Sequence, residues 1–255
     1  MTEEIDAAVI KLIQNVNEMT LKRMNEPFHV AEKTNYNDLV TTVDKENERF
    51  IDQQLKIIDP GCRILSEEGF GTHNLTSLSG HVWIVDPIDG TLNFVRQHDN
   101  FGIMLALYVD GQPTLGYIMD CVNRRLYHGG RGQGVYVNEK RVAPPVNLDL
   151  HHGLVAISSP LILSNVHHLP AVAQAASGLR MYGSAAKEMI GVLSGELVAY
   201  ISHLRPWDLA AGRVLAEELG LVVKSIDGTT PDVLSSNLVL VATTQASEDI
   251  AKITG

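Results

Sequence analysis

The stretch WIVDPIDGTLNF, residues 83–94, carries two aspartates three positions apart, Asp86 and Asp89, with Thr91 close behind them. Trp83, Ile84 and Val85 read as the end of a buried strand, since a short apolar run bounded by turn residues has that length and composition. Pro87 and Gly90 are turn formers, expected to stop the strand and wrap Asp86, Asp89 and Thr91 around one bend. In α/β proteins that is where ligands bind, just past the carboxyl ends of strands. Three other stretches place acids at element ends: Asp38 and Asp44 in DLVTTVD, Glu67 and Glu68 in SEEG, and Asp208 in RPWDLAAG. Pro206 suits the first turn of a helix, so Asp208 falls near that helix's positive end. Each stretch alone reads as a helix start or a solvated turn; their common chemistry is what matters.

If these groups converge, their charge needs compensation. Two like unit charges 4 Å apart repel by about 4 kcal/mol even at an effective dielectric of about 20. The donors are all oxygens with no paired His or Cys beside them, which suits hard cations, magnesium first. Two or more such ions can clamp a phosphate, lower the pKa of a bound water and neutralise a leaving oxygen. An acidic protein could thereby bind an anionic substrate.

The elements that must position these groups alternate between strand and helix, which points to α/β. Residues 5–24 form an amphipathic helix, with Ile5, Ala8, Val9, Leu12, Ile13, Val16 and Met19 at helical spacing. FHVAEKTNYNDLVT lacks periodicity and reads as a mobile loop. A second helix spans about 42–57, with Val43, Phe50, Ile51 and Leu55 on its apolar side and DPG ending it. CRILSEEG is a short strand running out into two glutamates. Residues 101–142 read as strands joined by turns, the first pair around Asp110-Gly111. After residue 145 the expected order is strand 153–158, helix 162–177, strand 179–182, helix 184–194, strand 197–202, helix 206–219, strands 221–226 and 237–242, and a last helix. The whole chain, 1–255, is expected to be one domain with subdomains of about 1–145 and 146–255, the second carrying Asp208.

The chain has 255 residues, 45% of them hydrophobic, so it can bury a sizeable core. Its net charge of −10 argues against a nucleic-acid partner. No run approaches the length of a membrane span, and the start MTEEIDAAVI is acidic where a secretory signal is basic. A cytoplasmic location is expected, with Cys62 and Cys121 as reduced thiols. GGRGQG at 129–134 has a phosphate-cradle composition but precedes a strand and lacks a GK[ST] ending, so it reads as a hairpin turn. The pairs His151–His152 and His167–His168 have no i, i+4 partner and read as surface residues. Ser158 and Ser159 lack a nucleophile-elbow context.

DPIDGTLNF together with DLVTTVD, EE and PWDLAAG, in this order and spacing, resembles the inositol monophosphatase family of magnesium-dependent, lithium-sensitive phosphatases. GSAA at 183–186 and the RGQGVYVN hairpin extend the resemblance over nearly the whole chain. The resemblance implies a layered α-β-α-β-α sandwich of the inositol monophosphatase and fructose-1,6-bisphosphatase type, and a homodimer. It also implies two or three Mg2+ ions, at sites that Ca2+ or Li+ can occupy or inhibit. By motif position, Glu67, Asp86 and the carbonyl of Ile88 hold a first metal with Thr91 nearby, and Asp86, Asp89 and Asp208 hold a second. A third, weaker ion belongs near Glu67. Water activated there attacks phosphorus in line, Glu67 helps orient it, and Thr91 with Asp44 relays its proton. Gly90 and Thr91 present backbone N–H groups to the phosphate, while Gly183, Ser184 and Ala185 face a substrate hydroxyl. Lys33 corresponds to a lysine of the family's mobile active-site segment, which could close over the substrate.

Inositol-selective members carry a glutamate seven residues before the aspartate of the WD motif, where it binds substrate hydroxyls. Counting back from Asp208 without a gap, that position is Ile201, with Ser202 and His203 the nearest polar groups. Losing that carboxylate weakens selection for a polyol. The expected function is therefore a magnesium-dependent phosphomonoesterase acting on a small phosphate ester, myo-inositol monophosphate first. NADP(H) 2′-phosphate, fructose 1,6-bisphosphate and 3′-phosphoadenosine nucleotides stay open, as does a non-enzymatic, metal-binding regulator of a partner.

Overall fold

The structure, a computed structural model, describes residues 2–72 and 75–255. Helix α1 (Thr2–Met24) buries Ile5, Val9, Leu12, Ile13 and Val16 along one stripe. Met19 is exposed, contrary to expectation. Four residues after Val16 the buried position is Thr20, whose hydroxyl donates to Val16 O and accepts from Asn47. The segment expected to be a loop contains a hairpin of β1 (Val30–Glu32) and β2 (Leu39–Thr41). Three-residue strands are too short to show a period in the sequence. Helix α2 (Thr42–Ile58) starts in a capping box: Thr41 Oγ1 accepts from the N–H groups of Val43 and Asp44, while Asp44 accepts from Thr41 N.

Strand β3 (Arg63–Ser66) pairs parallel with β4 (His81–Asp89). β4 does not stop at Val85. It runs on through Asp86, Pro87 and Asp89, and its register against the next strand slips between Asp86 and Asp89. The extra residue is a bulge, where a proline without an N–H breaks no ladder bond. Gly90, at φ +83°, then turns the chain into α3 (Thr91–Gln97). A Cβ there would lie 3.0 Å from Ser184 Cβ, so both conformation and space require glycine. Strands β5 (Gly102–Val109), β6 (Gln112–Asp120), β7 (Arg125–Gly130), β8 (Gly134–Val137) and β9 (Lys140–Arg141) complete a seven-stranded sheet, antiparallel from β4 onward.

The second half opens with β10 (Leu154–Ile157). The single helix expected over 162–177 is broken into α4 (Ser159–Leu163), a 3-10 turn at Val166–His168 and α5 (Leu169–Ala175). Asn165, His167 and His168 all have positive φ, and Pro170 at the start of α5 resists helix on its N-terminal side. There follow β11 (Gly178–Arg180), α6 (Ala185–Ser194), β12 (Ala199–Leu204), α7 (Pro206–Glu218), β13 (Val222–Ser225), β14 (Asn237–Ala242) and α8 (Thr244–Thr254). The strands form a five-stranded sheet in the order β11-β10-β12-β14-β13.

Three apolar clusters show the layering. One lies between α1, α2 and a face of the large sheet, with Ile13, Ile51, Trp83 and Leu105 at its centre. A second fills the space between the two sheets, where α6 and α7 bury Met189, Leu209 and Leu215 against Ile84, Ala106 and Val241. The third lies between the outer face of the small sheet and α5 and α8. The result is an α-β-α-β-α sandwich, with α6 and α7 as its middle layer. Helix α7 is fastened at its far end by the 129–134 hairpin turn, whose Gly132 and Gly134 N–H groups each donate to the Glu218 carboxylate at 2.9 Å. The glycine-rich turn thus wraps an anion, one supplied by the chain itself. His151, His152, His167 and His168 are exposed, Cys62 is half-buried and Cys121 buried.

Candidate active site

The β4 bulge, the N-terminus of α7 and the N-terminus of α6 meet at one place. Asp86, Asp89 and Asp208 each offer a carboxylate oxygen there, all within 4.8 Å of one another. Asp86 is buried in the bulge and accepts from Ile88 N at 3.1 Å. Asp89 receives Ala185 N at 3.0 Å on one oxygen, and Ala186 N at 2.9 Å together with the Ser184 hydroxyl on the other. Ser184 caps α6, so the first turn of that helix is directed at Asp89. Asp208 sits three residues into α7 and accepts from Arg205 N at 2.9 Å.

Burial pushes all three carboxyls up. Asp86 lies well above the carboxylate range, because it is buried and faces Glu67, Asp89 and Asp208. Asp208 is raised to about 8, by burial first and then by Asp89. Asp89 is raised to about 6, burial outweighing the Ser184, Ala186 and Ala185 hydrogen bonds that favour its charged form. Without a cation between them, three such acids ionise together only at a cost, since each charge formed raises the pKa of its neighbours. An oxygen-only donor set fits a hard divalent ion.

Glu67 follows β3 and stands beside Asp86, where its charge is the largest electrostatic influence raising that group. Its Oε1 accepts Lys33 Nζ at 2.8 Å, and the same ammonium lies 2.5 Å from Glu68 Oε1. Thr91 donates to Asp44 Oδ1 at 2.8 Å and approaches Ile88 O at 3.1 Å. Asp44 is fully buried, its other oxygen held by Thr41. Asp38 does not join the site: it closes the β1–β2 hairpin, accepting the Thr34 hydroxyl at 2.6 Å and the Lys33 N–H at 2.7 Å.

A cavity of about 440 Å³ opens beside Asp89 and Asp208, with Ser158, Tyr182, Ser202 and His203 in its wall. Ile201 is not among its lining residues. Strand alternation sends Ile201 into the core under α8, while Tyr200 and Ser202 project toward the cavity. The larger cavity of about 820 Å³, between α1 and β7–β9, shares no residue with the acid cluster.

Glu48, Asn93 and Glu188 are buried polar residues near the site to which no motif in the sequence gives a role. Glu48 accepts Glu68 N at 2.6 Å and Phe70 N at 2.8 Å, which shapes the turn after Glu67. Asn93 and Glu188 bind the backbone at 182–183. A signal for Glu48 existed: Asp44, Glu48 and Asp52 recur every fourth residue beside the apolar stripe of α2, and all three are buried.

Three carboxylate oxygens within 4.8 Å of one another, two of the residues buried and one half-buried, make a cluster suited to a divalent ion. The profile of the inositol monophosphatase family matches residues 1–254. The chain belongs to that family and is a phosphoric monoester hydrolase. It is 39% identical to the inositol-1-monophosphatase of Bacillus subtilis (strain 168), over 93% of this chain and 91% of that one. It is 29% identical to a fructose-1,6-bisphosphatase/inositol-1-monophosphatase of Thermotoga maritima, over 90% of this chain and 88% of the relative. The crystal structure of an IMPase/NADP phosphatase complexed with Mg2+ and phosphate superposes with a TM-score of 0.91 at 28% identity, covering 98% of this chain and 95% of that one. No helix among the described residues is long and apolar enough to cross a membrane.

Proposed function

We propose that this chain hydrolyses the monophosphate ester of a small uncharged alcohol, myo-inositol monophosphate first, with Mg2+ as its cofactor. One observation carries the choice of substrate: the cavity beside Asp89 and Asp208 has hydroxyl, aromatic and carboxylate groups in its wall, and no lysine or arginine among its described lining residues. A second phosphate, as in fructose 1,6-bisphosphate, or the pyrophosphate of NADP, would meet no lysine or arginine in that lining, the charge of Arg205 reaching the cavity only as far as Asp208. A polyol would meet the hydroxyls of Ser158 and Ser202.

Asp86, Asp89 and Asp208 would hold one ion, and Glu67, Asp86 and the Ile88 carbonyl another, with a third weaker one near Glu67. Bound there, the ions supply Lewis-acid charge for the phosphate and acidify a water. Thr91 is oriented by its hydrogen bond to Asp44, so the pair can accept a proton from the attacking water. Burial raises the Asp44 pKa, its neighbours' hydrogen bonds opposing the shift, which suits a proton acceptor. Gly90 and Thr91 N–H groups would face phosphate oxygens. Ser184 and Ala185 are turned toward Asp89, so their contribution to substrate binding runs through that carboxylate. Lys33 must leave Glu67 for the first ion to bind.

A homodimer and a cytoplasmic location complete the proposal, the latter supported by the two unpaired thiols. Phosphate release from inositol 1-phosphate, NADP, fructose 1,6-bisphosphate and adenosine 3′,5′-bisphosphate, with magnesium and with EDTA, is the test. Preference for the inositol ester and loss of turnover in EDTA are expected. Preference for a bisphosphate would overturn the substrate assignment, and metal-independent turnover the mechanism.

A further inference from the structure

The backbone at 181–183, between β11 and α6, is held by two buried side chains from opposite sides. Glu188, 3% exposed, reaches back from α6 and accepts the N–H groups of Tyr182 at 2.8 Å and Gly183 at 3.3 Å. Asn93, 6% exposed, lies on α3 and donates to Tyr182 O at 2.7 Å and Asn100 O at 2.9 Å. Gly183 has φ +72°, so the strap turns sharply between these two grips. Both grips belong to elements fixed to the acid cluster: α3 leaves directly from Asp89 and Gly90, and the first turn of α6 binds Asp89. The strap presents Met181 and Tyr182, 45% and 38% exposed, to the cavity beside Asp89.

We propose that Asn93 and Glu188 are positioning residues for substrate choice: they hold the 181–183 strap, and with it Met181 and Tyr182, as the wall against which a ring-shaped alcohol rests. The inference depends on the phosphatase assignment above and adds the residues that select the alcohol half. Met181 and Tyr182 offer apolar surface on one side of the cavity, while Ser158 and Ser202 offer hydroxyls elsewhere in it. That combination suits a ring with one apolar face and a polar edge, a cyclitol or a nucleoside. Without Glu188, whose side chain also lines the cavity, the strap loses the acceptor for two N–H groups; without Asn93, which does not line it, the strap loses the donor to a carbonyl, so the Asn93 variant reads the positioning effect alone. The wall then moves while the acids that meet the phosphate stay in place.

The test is the ratio of kcat/KM for a ring-bearing ester, inositol 1-phosphate or adenosine 2′-monophosphate, to that for glycerol 2-phosphate. Both are measured in one preparation, so the folded fraction cancels. Glu188→Ala and Asn93→Ala are expected to lower the ratio on the order of tenfold, mostly through KM. Glu188→Gln keeps an oxygen for the two N–H groups and is expected to stay within about twofold of the unaltered protein. Equal losses with all esters, or a Gln variant no better than the Ala variant, would overturn the inference and leave the phosphatase assignment standing. No turnover of any ester by the unaltered protein with magnesium would overturn both.

Discussion

The ammonium of Lys33 stands 2.8 Å from Glu67 Oε1 and 2.5 Å from Glu68 Oε1, so a side chain of the β1–β2 hairpin already neutralises one end of the acid cluster. Burial would lower the lysine's pKa, but the two glutamates more than reverse this, and it stays charged. A divalent ion at Glu67 competes with it. Lys33→Met is therefore expected to tighten magnesium or manganese binding several-fold, on the order of 1 kcal/mol for removing one partly screened charge. Isothermal titration of the metal-free protein measures this. Unchanged or weaker affinity would show that Lys33 does not oppose the ion.

The metal-free protein should lose stability as pH rises. Asp89 and Asp208 have ordinary values near 3.8 and folded values of about 6 and about 8. An acid whose pKa is higher folded than unfolded favours the folded state while protonated; that stability is complete below about pH 4 and is lost as pH rises through the folded values. Thermal melts in EDTA should therefore fall between pH 5 and pH 9. Magnesium should raise the melting temperature more at pH 9 than at pH 5, since it binds the ionised carboxylates. A metal-free melt that rises over this range would contradict the burial and crowding described for the cluster.

Thr91→Val removes the hydroxyl that bonds Asp44 while leaving shape nearly unchanged. A proton-relay contact is worth roughly 10²–10⁴ in rate, whereas leaving the buried Asp44 oxygen without its donor costs about 1.5–3 kcal/mol of stability. Turnover is expected to collapse while the melting temperature falls by about 3–10 °C and the protein stays folded at about 25 °C. Retained turnover would remove Thr91 and Asp44 from the proton path.

Glu218→Ala leaves the N–H groups of Gly132 and Gly134 without their carboxylate. The turn is partly open to water, so a loss of about 1–2 kcal/mol is expected in denaturant unfolding, with kcat retained in the folded fraction. A large drop in kcat would mean that the far end of α7 controls Asp208 at its near end.

Strong local signals made much of this molecule legible. The period of α1 and α2, the Asp-Gly hairpin and Pro206 ahead of Asp208 placed their elements to within a few residues, because each depends on neighbours in the chain. The β4 bulge was not legible: Pro87 reads as a strand stop unless its pairing partner is known, and the register slip is visible only against β5. The break at 164–168 was hidden in the same way, since Asn165, His167 and His168 adopt positive φ without a glycine to announce it. At the site, acids beside turn formers could be picked out, but that they share one ion-binding place was implied by the family resemblance of their motifs. The direction of Ile201 could not be read, because a strand's two faces are assigned only once both sheets are packed. Asn93 and Glu188 bind backbone, a contact that leaves no pattern in side-chain spacing.

Asp44 divides its two oxygens between Thr41, at the start of its own helix, and Thr91, across the site. Unwinding of the first turn of α2 would therefore release the Thr91 hydroxyl in the same event. Amide exchange at Val43 and Asp44, whose N–H groups are held by Thr41, becomes a clock for how often the relay is assembled.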